Sequence, residues 1–170
     1  SNIAMGYSSL VSAVQHGWMA DEDSYNIDRL GHRRWCLNPE MGKTGFGQTG
    51  SYTAMYSFDS SHTVSQETTV VWPAQNMPTD YFDGTYPWSI SSDTAFSSDV
   101  KVVLTYVDED DDSSNDKVWE FSASSADGYF NYNKQGYGQS HCLIFRPNDI
   151  TMYYDNDKFE VQVIENDEVT

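Results

Sequence analysis

The stretch that decides the reading runs from Trp18-Met19-Ala20-Asp21 to Gly31-His32-Arg33-Arg34-Trp35-Cys36-Leu37-Asn38-Pro39, and it joins a helical pattern to a histidine set among arginines. Upstream, Leu10, Val11, Val14 and Trp18 recur at spacings of three and four. This predicts an amphipathic helix over residues 8–19, with one buried face and Ser8 or Ser9 as its cap. The polar run Asp21-Glu22-Asp23-Ser24 ends the pattern, and a second, shorter helical piece is expected over residues 26–33. Asn38-Pro39 then forces extended or turn geometry, because the proline ring crowds a helical residue before it.

Beyond residue 43 the texture becomes glycine-rich and aromatic. Residues 43–48 and 52–58 read as two strands around the turn Thr49-Gly50-Ser51, and the serine-rich residues 59–66 read as a linker. Strand signals follow at residues 68–72, 101–107, 118–121, 129–132, 142–145, 151–154 and 159–164, several of them separated by turn residues such as Asp127-Gly128 and Asp155-Asn156-Asp157. Seven short strands without helical periodicity predict an immunoglobulin-like β-sandwich. The expected division is therefore residues 1–60, a linker at 61–66, and a β-sandwich over 67–170.

The 170 residues, 38% apolar and 15% aromatic, suffice for packed cores. No run of eighteen apolar residues is present, and no charged-then-apolar leader opens the chain, so any export signal is expected to lie outside it. The formal charge of -17 argues against nucleic acid and anionic lipid as partners and favours neutral or cationic ones. Residues 1–60 hold six acids against four bases, whereas residues 61–170 hold twenty against five, which suggests two units with different surfaces. Cys36 and Cys142 fall one in each half, and the sequence allows either a bridge between them or two buried thiols.

His32 is the candidate chemical group. A neighbouring carboxylate, Asp21 or Glu22, would favour its charged form, and Arg29, Arg33 and Arg34 would oppose it, leaving protonation finely balanced near neutral pH. Such an imidazole can hold a metal or shuttle protons; equally, it can cap a helix end or fill a cleft wall. The arginines either pair with Asp21, Asp23, Asp28 and Glu40 or grip an anionic ligand. The candidate ligand cleft comprises Asp21, His32 and Arg33.

Gly31-His32-Arg33, Trp18-x-x-Asp21 and Ser1-Asn2-Ile3-Ala4 resemble segments of CAP domains, the fold of cysteine-rich secretory, antigen 5 and pathogenesis-related proteins, and especially of their bacterial SCP-like branch. The resemblance covers the later half of that domain. It implies an α+β chain, a partial α/β/α sandwich followed by the β-sandwich, in a secreted or cell-surface bacterial protein. It also implies a cleft in which His32 matches the family's second histidine and Asp21 stands where glutamate is common. Ser1 replaces the first acid, and the first histidine has no counterpart, which leaves a zinc site at most partly supplied.

Three functions follow as expectations. The first is a binding module with its cleft near His32, for a small-molecule, lipid, peptide or glycan ligand. The second is a metal-assisted, protease-like hydrolase in which His32 holds zinc and Asp21 or Glu22 serves as ligand or general base. The third is a carbohydrate-binding β-module that uses the many aromatic rings, although most rings in a sandwich belong to its core. Gly45-Phe46-Gly47-Gln48-Thr49-Gly50 spells a dinucleotide fingerprint without the βαβ unit it needs, so its glycines read as strand and turn positions. Asp108-Glu109-Asp110-Asp111-Asp112 invites weak calcium binding but lacks EF-hand spacing and reads as a solvated hairpin tip.

Overall fold

The computed structural model describes residues 1–107 and 116–169, so the acidic run Asp108–Asp112 lies outside the described residues. About 36% of the chain is strand and about 11% helix, in three antiparallel sheets. The expected α+β class, with a partial α/β/α sandwich at its head, is thereby corrected to a β-rich fold. Only short helical pieces form, and those of the N-terminal segment pack against the first sheet.

That first sheet holds β1 (Asn2–Met5), β2 (Gly45–Thr49) and β3 (Tyr52–Tyr56) in the order β1-β3-β2. Strand pleating sends Asn2, Thr53 and Met55 to one face, where they are buried, and Ile3, Met5, Tyr52 and Tyr56 to the other, where each is more than half exposed. Helix α2 (Gly31–Cys36) closes the buried face, with the Asn2 side-chain amide donating to His32 O at 2.8 Å and to Cys36 Sγ at 3.2 Å.

The expected helix over residues 8–19 is a single turn, α1 (Leu10–Ser12), that runs into a π-helix at Ala13–Trp18. Ser9 is the cap, its Oγ accepting from Ser12 N at 3.1 Å. The bond from Met19 N to Val14 O spans five residues, so Ala13 and Trp18, five apart, fall inward together. Val11, which a period of 3.6 places in the core, is 70% exposed.

Two four-stranded sheets follow. One contains β4 (Thr69–Trp72), β5 (Trp88–Ser92), β8 (Gly128–Asn133) and β9 (His141–Pro147) in the order β4-β5-β9-β8. The other contains β6 (Lys101–Tyr106), β7 (Lys117–Ser122), β10 (Phe159–Glu165) and β11 (Glu168–Val169) in the order β11-β10-β6-β7. Trp88, Ile90, Leu143 and Phe145 of the first meet Val102, Leu104, Trp119 and Phe121 of the second in one core. Residues 151–154, expected as a strand, are irregular, and β1, β5 and β11 are strands that the sequence reading did not assign.

All five residues of β5 and four consecutive residues of β9, Cys142 to Phe145, are buried. A strand covered on both faces loses its polar alternation, which explains the apolar run Cys142-Leu143-Ile144-Phe145. The second cover is the N-terminal segment: Leu30 packs on Cys142 and Ile144, and Asp28 O accepts from the amides of Asn131 and Asn133 at 2.5 and 3.1 Å.

The two arginines of α2 complete that joint. Arg33, wholly buried, donates to Met19 O at 2.6 Å, Ala20 O at 2.7 Å, Pro87 O at 2.5 Å and Ser89 Oγ at 3.4 Å. Arg34 donates to Arg29 O, Asn133 Oδ1, Gln135 O and Gln139 O, and lies over the Tyr137 ring. A guanidinium presents five donors in a fixed fork, which suits a seam of backbone carbonyls from several segments. No helix of the described residues is long and apolar enough to cross a membrane.

Candidate functional site

His32 and Asp21 do meet. Asp21 adopts a positive φ of 48°, tolerable for aspartate, and turns a nearly buried carboxylate toward the start of α2. Oδ2 accepts from His32 N at 2.9 Å and Arg33 N at 3.2 Å, while Oδ1 lies 2.8 Å from His32 Nδ1. The flanking residue Leu30 has no polar side chain with which to cap α2, so Asp21 caps it from outside the helix.

His32 is half-buried, and its affinity for a proton is raised. The hydrogen bond to Asp21 is the main cause; burial opposes it, the charges of Asp21 and Asp23 add to it, and Arg29 subtracts. The charge balance left open by the sequence thus tips toward imidazolium. The leading acids acting on His32 are Asp21 and Asp23, whereas the charge of Glu22 is felt at Tyr86 and at Arg33. Asp23, which the sequence reading did not select, takes that place.

Of the expected cleft residues Asp21, His32 and Arg33, the first two are in contact and the third turns inward. Arg33 is sealed in the protein interior with its donors bound, so it cannot face a ligand, and burial pushes its pKa down to about 10. Arg33 and Arg34 donate mainly to carbonyls, and among the described residues Arg29 lies near a carboxylate, Asp28, at 3.7 Å.

Both carboxylate oxygens of Asp21 are engaged within the protein, which suits orientation of an imidazole better than attack or metal ligation. Among the described residues, no three His, Cys, Asp or Glu side chains are grouped to hold a metal ion. Cys36 and Cys142 are both free thiols. Burial pushes Cys36 up to about 12 and raises Cys142 as well, so neither is a thiolate nucleophile at neutral pH.

A larger feature opens in the β-sandwich. Residues 71–79 and 153–159 form the two walls of a groove of about 890 Å³, floored by Phe82, Trp88, Ile90, Phe145 and Val161. The walls are tied by Thr79 Oγ1 donating to Asp155 Oδ1 at 2.9 Å. Phe82, Trp88, Tyr153 and Phe159 support one another with ring centroids 5.3 to 5.6 Å apart in four of their contacts, and Trp88 Nε1 donates to Tyr153 OH at 2.7 Å.

Gln75, Asn76, Asn156 and Lys158 stand exposed on the rim. The buried Trp72 indole Nε1 has no hydrogen-bond partner among the described residues. Sequence reading placed Trp72 on a strand and Asp155-Asn156-Asp157 in a turn without joining them. The signal available was their shared aromatic and amide character, but they are some eighty positions apart and only the packing of the two sheets against each other brings them together.

Compared with known families, curated proteins and solved structures, the chain matches none.

Proposed function

We propose that this chain is a binding module of a secreted or cell-surface protein and that its ligand sits in the groove of the β-sandwich. The resemblance of Gly31-His32-Arg33 and its flanks to bacterial CAP-domain proteins is consistent with such a role. The observation that carries the reading is the groove itself: about 890 Å³, with an apolar floor and a polar rim, lies within the ordinary range of small-ligand sites, about 300–1,000 Å³. His32 and Asp21 are then structural, a capped helix start that anchors the joint between the N-terminal segment and the sandwich. In the hydrolase alternative Asp21 is a poor base, because both its carboxylate oxygens are already hydrogen-bonded, and that role falls to Glu22 alone.

A thermal-shift screen of neutral, cationic and anionic small molecules tests this, run on the wild type and on Ala74→Trp, which places a large side chain at an exposed lining position. A ligand at about a hundred times its Kd stabilises by about 2.7 kcal/mol, a shift of several degrees. Hits that Ala74→Trp abolishes, with its own unliganded midpoint unchanged, support the groove. Hits that survive in the variant, or no hits, refute it.

A further inference from the structure

Resting on that reading, we infer that the groove binds a neutral oligosaccharide. Ring and aliphatic edges form the floor, whereas the rim carries three side-chain amides, two carboxylates, a hydroxyl and one ammonium group. A purely apolar ligand would strip water from rim groups without replacing their hydrogen bonds, which costs free energy for each. A sugar ring presents both chemistries, C–H faces that pack on aromatic rings and hydroxyls that exchange bonds with amides and carboxylates. Tyr154, 66% exposed on one wall, offers such a ring face at the mouth.

Charge selects among sugars. Asp155 and Asp157 outweigh Lys158 at the rim, and the surrounding half of the chain carries twenty acids against five bases. Sulfated, sialylated or uronic acid chains are therefore repelled. A strongly cationic ligand meets Lys158 between two acids that already serve the protein: Asp155 accepts from Thr79, and Asp157 accepts from Tyr154 N at 2.8 Å. A neutral chain pays neither penalty. The volume suits a short oligosaccharide better than a single sugar, since it sits near the upper end of the range for compact ligands, about 300–1,000 Å³.

The experiment uses the full chain on an array of neutral, uronic, sialylated and sulfated oligosaccharides, with n-decanol and benzylamine as non-sugar probes measured by calorimetry. Neutral oligosaccharides are expected to bind, with binding abolished by Ala74→Trp. Gln75→Ala, at an exposed rim position remote from the core, is expected to weaken binding a few-fold and reads the same site should Ala74→Trp fold poorly. Preference for charged glycans, or neutral binding indifferent to both variants, overturns the inference. Silence from every sugar with binding of decanol or benzylamine that Ala74→Trp removes also overturns it, while leaving the binding-module reading in place. Silence from every probe overturns both.

Discussion

The first sheet and the sheet β4-β5-β9-β8 are both antiparallel, yet one is closed on a single face and the other on two. In the first, Ile3, Met5, Tyr52 and Tyr56 face outward and are each more than half exposed. In the second, Ser89, Ser91, Cys142 and Ile144 face the N-terminal segment while Trp88, Ile90, Leu143 and Phe145 face the opposite sheet, and all eight are buried. The difference shows where stability is concentrated. The N-terminal segment is held less by its own sheet than by what it inserts into the sandwich, namely Leu30, Arg33 and Arg34.

Arg33→Met gives the strongest test of that statement. Methionine keeps much of the volume but leaves Met19 O, Ala20 O and Pro87 O without their donor in a buried seam. Each unsatisfied carbonyl costs about 1–3 kcal/mol, so a loss of roughly 3–5 kcal/mol is expected in urea unfolding. A loss below about 1 kcal/mol would mean that the seam opens to water and that the two halves are held by something else.

A paired substitution sharpens the contrast between the sheets. Ile144→Ala removes a fully buried side chain between β9 and Leu30 and is expected to cost about 2–4 kcal/mol. Ile3→Ala deletes the same atoms from a side chain that is 65% exposed and is expected to cost less than about 1 kcal/mol. Equal costs would show that the outer face of the first sheet is covered in solution.

Part of this architecture could be read in the sequence and part could not. The alternation Phe159, Val161, Val163 sets β10 on a half-wet sheet, and period-two reading found it. Trp88 to Ser92 resisted the same reading, because serines facing a buried seam look like the solvent face of a strand or like a loop. The helix over residues 8–19 failed for another reason: the π-helix at Ala13–Trp18 bonds residues five apart rather than four, so spacings of three and four no longer mark the buried face, and Val11 is exposed. The Asp21–His32 contact was legible from its residue types, but the burial of Arg33 was not, since an arginine in so acidic a chain reads as a surface charge. The groove escaped because no local pattern records that residues 71–79 and 153–159 become neighbours.

The smallest effect concerns how firmly α2, and with it the arginine seam, is anchored. His32 has its pKa raised in the fold, chiefly by the hydrogen bond to Asp21. A raised pKa means that the folded state binds the proton more tightly, so the stabilisation is fully present below the ordinary histidine value of about 6.5 and fades as pH rises through the folded value. Half exposure and salt screening keep it modest, and the neutral imidazole can still donate from Nδ1 to Asp21. The melting temperature of the wild type should therefore fall slightly between pH 6 and pH 8 relative to that of His32→Gln, in which this contribution is absent. Asp21→Asn should flatten the same slope while retaining an oxygen to cap α2 and a residue that tolerates a positive φ. Parallel pH profiles for all three proteins would place the proton elsewhere and reduce the Asp21–His32 contact to a helix cap alone.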